Sequence, residues 1–134
     1  MKKIFVSMII CIFAVCLCFI YFANTSEKQE EYCYIINRLI CDEEFDIAKI
    51  QDSAIVLYTF DGVQLKEIPF KEFDKSVKIV YVRKEGVITY FVFGGAVDDE
   101  NGIMFINDES NRILDGVKSV MRIGGNSYRY DTVG

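Results

Sequence analysis

The chain has 134 residues, a length typical of one domain, and carries 20 acidic against 15 basic side chains. Lys2 and Lys3 precede a long apolar run, so the remainder has 13 basic against 20 acidic side chains, a formal charge of −7. A domain this acidic lacks the clustered cations that bind phosphate backbones, which excludes nucleic acid as a partner. The absence of histidine excludes Ser-His-Asp and Cys-His nucleophile pairs and His-ligated zinc or iron. We expect no cofactor.

Residues 4–23 form an apolar run in which Ser7 is the only plainly polar residue. As a helix, such a run spans about 30 Å, the thickness of the hydrocarbon core of a bilayer. Aromatic residues at its end suit the membrane interface. The run therefore predicts a transmembrane anchor. It would contact the lipid bilayer through Ile4, Phe5, Ile9, Ile10, Phe13, Leu17, Phe19, Ile20, Tyr21 and Phe22.

The flanking charges predict the orientation of this anchor. Lys2 and Lys3 lie in an N-terminal tip, residues 1–3, and positive charge favours the cytoplasmic side. We expect a single-pass protein of the cell membrane, with its N-terminus inside and its C-terminal domain outside. A cleaved signal peptide is the alternative, but the run exceeds the roughly 7 to 15 residues typical of such peptides. Tyr21 also stands where a cleavage site ending at Ala23 needs a small residue.

The cysteines predict neither a lipid attachment site nor an intramolecular disulfide bridge, and an intermolecular disulfide stays open. Cys16 and Cys18 lack the small preceding residue expected next to a lipidated cysteine, and with Cys11 they suit apolar packing in the membrane. Cys33 and Cys41 are eight residues apart. On one helix their Cα atoms would be about 12 Å apart, beyond the limit of about 7 Å for a disulfide.

Residues 24–31 are polar, and their composition predicts either a linker or the start of a helix. Ser26 is a candidate N-cap because Gln29 follows three residues later, as in a capping box. Beyond it, a helical stripe of apolar residues comprises Tyr32, Ile35, Ile36, Leu39 and Ile40. Asp42 is the candidate cap of a second short helix. That helix would contain Phe45, Ile47, Ala48 and Ile50.

From residue 54 onward the sequence favours strands. Asp61-Gly62 predicts a type I′ hairpin turn, and Pro69 should end the strand that follows it. The segment 87–93 is apolar on both faces, which indicates a central strand, and a hairpin loop at residues 84–86 precedes it. The predicted strands are residues 54–60, 63–68, 77–83, 87–93, 103–106 and 128–130.

The C-terminal part predicts one more helix. Its apolar face would comprise Ile113, Leu114, Val117, Val120 and Met121. Gly124-Gly125 would stop that helix, and residues 128–130 would form a final edge strand. The expected fold class is α+β: a transmembrane helix, then one domain over residues 32–134 with one or two helices and a mostly antiparallel sheet of five to six strands.

Few residues suggest a site. Asp98, Asp99 and Glu100 place three carboxylates in one loop, a weak candidate for a metal such as calcium, although their spacing is not that of an EF-hand. Asn107, Asp108 and Glu109 raise the same idea but better suit the start of a helix. Gly124-Gly125 could bring backbone N–H groups close to an anion. Four tyrosines could line one sheet face and contact a protein partner or simply pack: Tyr81, Tyr90, Tyr128 and Tyr130.

Three functions are compatible with these features. The first is a non-catalytic interaction or accessory module, displayed outside the membrane by its anchor. The second is structural, because a basic tip, an apolar helix, an amphipathic helix and an antiparallel sheet are similar in outline to type IV pilins and pseudopilins. The chain departs from that family in having Phe5-Val6-Ser7 in place of a Gly-Phe junction, and no Glu in the apolar run. The third is a small hydrolase that uses two carboxylates.

Overall fold

The computed structural model describes residues 1–71, 76–95, 99–108 and 119–132. Helix α1 (Lys2–Ile40) has 39 residues and is therefore about 58 Å long. Eight strands follow: β1 (Ile47–Gln51), β2 (Ala54–Tyr58), β3 (Gln64–Pro69), β4 (Tyr81–Glu85), β5 (Ile88–Gly94), β6 (Asn101–Ile106), β7 (Ser119–Gly124) and β8 (Ser127–Asp131). The α+β class is thus confirmed.

The N-terminal half of α1 projects away from the rest of the protein. This half is long and apolar enough to cross a membrane, and its most apolar stretch of 18 residues contains no buried residue. The predicted anchor residues from Ile4 to Tyr21 all lie on this exposed half. Residues 24–31 are helical as well. Ser26 is therefore inside the helix and is not its N-cap. Of the two alternatives for this segment, it is helical and not a linker, but it continues α1 and does not begin a new helix.

The C-terminal half of α1 packs against the sheet. The predicted stripe is largely confirmed, because Tyr32, Ile36 and Ile40 are buried, while Leu39 is 41% exposed. Cys33 replaces Leu39 as the fourth buried contact on this face. All five cysteines are free thiols. Cys33 and Cys41 are thus not bridged to each other within the chain, in line with their separation along α1.

The strands form one sheet in the order β3-β2-β1-β4-β5-β6-β8-β7, with every neighbouring pair antiparallel. The described residues thus contain eight strands and not five to six. Strand β5 lies inside the sheet and is buried on both faces, as its apolar sequence predicted. Edge positions belong to β3 and β7.

The first additional strand is β1, where the sequence predicted a second helix. Residues 47–51 pair with β2 on one side and with β4 on the other. Ala48 is fully buried on the face that meets α1. Asp42 consequently caps no helix; it lies in the turn that follows α1. Within the described ranges, α1 is the one helix.

The second additional strand is β7, where the sequence predicted the end of a late helix. Val120 and Met121 lie on this strand, while Ile113, Leu114 and Val117 lie outside the described residues. Gly124-Gly125 does not stop a helix: Gly125, with φ of 56°, begins the two-residue turn between β7 and β8. Strand β8 is also not an edge strand, because it lies between β6 and β7.

The other hairpins occur near the predicted places, although the predicted strand 77–83 is displaced to residues 81–85. Gly62 has φ of 78° in the β2–β3 turn, but Asp61 does not adopt positive φ, so the turn is not type I′. The β4–β5 turn is Gly86-Val87, with β4 reaching Glu85, so the loop is shifted from residues 84–86. Strand β3 ends at Pro69 as expected, and β6 contains the predicted segment 103–106.

The two faces of the sheet have different surroundings. On the inner face, which meets α1, the core includes Leu57, Val82, Phe91 and Phe105. On the outer face, turned away from α1, a smaller cluster comprises Tyr90, Met104 and Tyr130. The alternation of side chains along each strand assigns the remaining residues to these two faces.

Candidate functional site

A polar cluster on the outer face brings together residues from four separate parts of the chain. Tyr81 and Arg83 come from β4, Tyr90 from β5, Tyr130 from β8, and Glu100 immediately precedes β6. Strand pairing positions them, since Arg83 lies directly opposite Tyr90 and Gly102 directly opposite Tyr130. We call these five residues the Glu100 cluster.

Glu100 is the acceptor at the centre of this cluster. Its Oε1 accepts a hydrogen bond from the Tyr81 hydroxyl at 2.8 Å, and its Oε2 accepts one from the Tyr130 hydroxyl at 3.2 Å. The Arg83 guanidinium donates to the same Oε2 through Nε at 3.2 Å and Nη2 at 3.1 Å. Both carboxylate oxygens are therefore engaged by neutral or cationic donors.

The Arg83 guanidinium is held on its other sides as well. Its Cζ atom lies 3.8 Å from the ring centroid of Tyr90, the geometry of a cation–π contact. Its Nη1 donates to the exposed carboxylate of Glu85. The Tyr90 and Tyr130 rings meet edge to face, with centroids 5.4 Å apart. The cluster thus joins β4, β5 and β8 across the outer face.

The electrostatics follow from these contacts. Burial alone would raise the pKa of the Glu100 carboxyl, but the hydrogen bonds from Tyr81 and Arg83 outweigh it, so its pKa lies below the usual range. Burial, and then the negative charge of Glu100, raise the pKa of the Tyr130 hydroxyl well above its usual range. Glu100 is therefore ionised and Tyr130 neutral at pH 7, which suits an acceptor and its donor.

This arrangement favours a structural role over proton transfer. A general acid at neutral pH needs a carboxyl group of raised pKa, whereas the pKa of Glu100 is lowered. The Arg83 guanidinium also lies beside the Glu100 carboxylate, in the place where a metal cation would otherwise bind. Of the three predicted metal candidates, Asp99 and Glu100 are described and Asp98 lies outside the described residues. No group of three His, Cys, Asp or Glu suited to a metal occurs in the described part of the chain.

The four tyrosines singled out from the sequence do share the outer face. Their strand registers place Tyr81, Tyr90, Tyr128 and Tyr130 on that side. Tyr90 and Tyr130 are buried, while Tyr81 and Tyr128 are partly exposed. Tyr90 and Tyr130 therefore contribute mainly to packing. Of the four tyrosines, Tyr81 and Tyr128 are the two that a protein partner could contact.

Polar contacts between α1 and the sheet form a second set that sequence reasoning missed. Near its middle, α1 meets β8, where Arg129 Nη2 donates to Glu30 Oε1 at 3.2 Å and to Ser26 Oγ at 2.7 Å. Further along, the Asn37 amide donates to Asn107 Oδ1 at 3.0 Å. Asn107 in turn donates to the buried Thr89 hydroxyl at 3.0 Å. Asn37 and Thr89 are the buried polar side chains of the described core.

The end of α1 is closed by a lysine from the sheet. Lys84 Nζ donates to the carbonyl oxygens of Cys41 at 2.7 Å and Glu43 at 2.5 Å. A cation at this place satisfies carbonyl groups that have no partner within the helix and complements the negative end of its dipole. The sequence offered no signal for this contact, because Lys84 was expected in a hairpin loop.

An open cleft of about 1090 Å³ lies beside this helix end. Both lysines that line the cleft are engaged. Lys84 donates to the backbone carbonyl oxygens named above, and Lys66 Nζ lies 2.5 Å from Glu43 Oε1. Its walls include the apolar side chains of Phe45, Leu57 and Leu65. The four acidic side chains that line it are Asp42, Glu43, Glu44 and Asp46. We call this the acidic cleft.

Together these features define a long helix, apolar in its first half, that carries an antiparallel sheet on its second half. Comparison with known proteins adds no identity: no protein-family model, curated protein or solved structure matches the chain. The function must therefore be argued from the helix, the Glu100 cluster and the acidic cleft alone.

Proposed function

We propose that the chain is a single-pass membrane protein that displays a non-catalytic interaction or accessory domain on the outer side of the cell membrane. The observation that carries this proposal is the continuity of α1, whose exposed apolar half leads without interruption into a half buried by the sheet. An exposed helical surface so apolar is costly in water and favourable in lipid. The two lysines of the tip support an N-terminus inside.

The non-catalytic part of the proposal is supported by the chemistry of the most polar cluster. Its carboxylate is ionised and fully engaged by three donor side chains, which leaves it poorly suited to act as an acid or a nucleophile. The acidic cleft, by contrast, is open and combines apolar walls with four carboxylates. Such a surface suits contact with a partner protein that carries a complementary basic patch outside the membrane.

Membrane fractionation followed by intact-mass measurement tests the anchor. We expect a protein of 15.4 kDa that resists alkaline extraction, with its domain open to protease added from outside. The double substitution Phe13→Lys and Leu17→Lys should release it, because each lysine near the centre of a span costs about 3 kcal/mol. Tyr34→Lys, at an exposed position of the same helix beyond the apolar run, is the matched control and should stay in the membrane.

Three outcomes oppose the proposal. Loss of about 23 residues would indicate a secreted domain released by signal cleavage. Alkaline extraction of the full-length wild type would show that α1 does not span the bilayer. Protection of the domain from external protease in intact cells, with digestion only after lysis, would place it inside.

A pilin-like structural subunit is the second candidate. It is favoured by a single long helix that is exposed in its first half and packed on an antiparallel sheet in its second. The same mass measurement distinguishes it, because pilin-type processing would remove only the first few residues. A full-length chain that stays monomeric in mild detergent would argue against this candidate.

A further inference from the structure

Three polar contacts join different levels of α1 to different strands of the sheet. Arg129 of β8 contacts Ser26 and Glu30, Asn107 after β6 contacts Asn37, and Lys84 of β4 contacts the carbonyl of Cys41. Of these three contacts, the one from β8 lies closest to the apolar half of α1. Strand β7 is the neighbour of β8 in the sheet.

The attachment of β8 to α1 places β7 close to the end of the apolar run. Ser26 lies three residues beyond that run, which corresponds to about 4.5 Å along the helix. Strand β8 is held at Ser26 by Arg129, and neighbouring strands are about 4.8 Å apart. Strand β7 therefore lies within one strand spacing of β8, near the level at which headgroups meet the hydrocarbon crossed by a spanning helix.

The side chains of β7 suit that environment. Val120 is 45% exposed and Met121 is 62% exposed, on opposite faces of an edge strand. Arg122, also exposed, is the only charged residue of the strand. Residues 119–124 contain one arginine and no acid, although the chain beyond the apolar run has a net charge of −7. Apolar residues beside a cation match lipid headgroups, whose phosphates are negative.

We propose that β7, an edge strand of the described sheet, rests in the headgroup layer of the same bilayer that α1 crosses, with Val120 and Met121 inserted and Arg122 beside the phosphates. This proposal rests on the anchor function proposed above. The headgroup layer contains water that can bond the unpaired backbone groups of an edge strand, whereas the hydrocarbon core cannot. Insertion is therefore shallow, and the membrane fixes the domain at a second place in addition to α1.

Tryptophan fluorescence in full-length protein tests this contact, because the chain contains no native tryptophan. Met121→Trp and Val120→Trp are each reconstituted in vesicles whose phospholipids carry bromine either near the headgroup or near the chain end. We expect both to be quenched several-fold more by the shallow bromine than by the deep one. Leu65→Trp, 48% exposed on the opposite edge strand β3, is the matched control and should be quenched by neither.

Phe13→Trp reports on the anchor and separates the two proposals. If Phe13→Trp is quenched by the deep bromine while the β7 variants respond no more than Leu65→Trp, the β7 contact is wrong and the anchor stands. If Phe13→Trp escapes quenching, the anchor proposal fails and the β7 contact fails with it. Deep quenching of both β7 variants would also overturn a headgroup location. Two adjacent tryptophan positions keep the test decisive if one variant does not fold.

Discussion

The guanidinium of Arg129 lies 3.2 Å from the carboxylate of Glu30, although the two residues are 99 positions apart in the chain. The same guanidinium reaches Ser26 on the preceding turn of α1. These contacts attach the last described strand to the helix just beyond the apolar run. The domain is therefore held against α1 and is not attached to it through a polar linker.

Replacement of Arg129 should loosen this attachment. We expect Arg129→Ala to lower the free energy of unfolding by about 2 kcal/mol, because it removes charged hydrogen bonds between partly buried groups. Denaturant titration of the full-length protein in detergent measures the loss. Arg122→Ala is the matched control, since Arg122 donates to the carbonyl of Gly125 within its own hairpin, and should change stability by under about 0.5 kcal/mol. Equal losses in the two variants, or a double-mutant cycle with Glu30→Gln that shows no coupling, would contradict the structural role of this pair.

The Glu100 cluster should make stability depend on pH in the acid range. The pKa of Glu100 is lower in the folded protein than the reference value of 4.5, so its stabilisation is present above that value. It is lost as pH falls through the lowered pKa. Glu100→Gln should therefore cost about 2 kcal/mol at pH 7, and this difference from wild type should shrink toward zero in strong acid.

The matched control for this prediction is Glu85→Gln, because Glu85 also contacts Arg83 but its side chain is 62% exposed. An exposed ion pair contributes little, so its effect should be small at every pH. A Glu100→Gln penalty that stays constant from neutral to acid pH would show that the carboxylate charge does not stabilise the cluster.

Gly102 allows β5 and β6 to approach each other closely. A Cβ atom at this position would lie 1.8 Å from the carbonyl oxygen of Phe91, a backbone atom that cannot move aside cheaply. We expect Gly102→Ala to destabilise the protein by about 3 kcal/mol through overpacking. Gly94→Ala is the control from the same β5–β6 pairing, where a Cβ meets no atom within 4 Å. Thermal unfolding compares them, and equal midpoints would contradict the clash.

The sequence predicted the elements whose pattern is long or whose turns are distinctive. The apolar run, the stripe through Ile36 and Ile40, and the Gly62 hairpin each rest on local chemistry that tertiary contacts did not override. Strand β5 was also predictable as central, because a strand buried on both faces must be apolar on both.

The failures occurred where a short apolar pattern fits two periods. Ile47, Ala48 and Ile50 suit one helical turn as well as a strand, and only pairing with β2 and β4 decides between them. In β7, Val120 and Met121 were grouped with earlier residues into one helical face, and Gly124-Gly125 then suggested a helix stop. The hairpin signal was the short Gly125-Asn126 turn between two alternating segments.

The Glu100 cluster could not be assembled from the sequence for a different reason. Glu100 was noted only as one of three adjacent carboxylates, whereas its actual partners come from β4 and β8. Such a cluster depends on strand order, and strand order is set by long-range pairing that no local pattern reveals. The sequence placed Tyr81 and Tyr130 on strands, but it did not reveal that Glu100 accepts hydrogen bonds from both hydroxyl groups.

The position of the acidic cleft at the end of α1 also limits which charges its carboxylates can interact with. If α1 spans a bilayer as proposed, Cys41 lies 18 residues beyond residue 23, about 27 Å further along the helix than the end of the hydrocarbon core. At physiological ionic strength, electrostatic influence fades over about 8 Å. In that arrangement lipid charge would not reach the carboxylates of the cleft, and changes in membrane composition would leave the electrostatic potential in the cleft unaltered. The carboxylates of the cleft would then attract only cationic groups that approach from the aqueous side. This attraction weakens as salt is added.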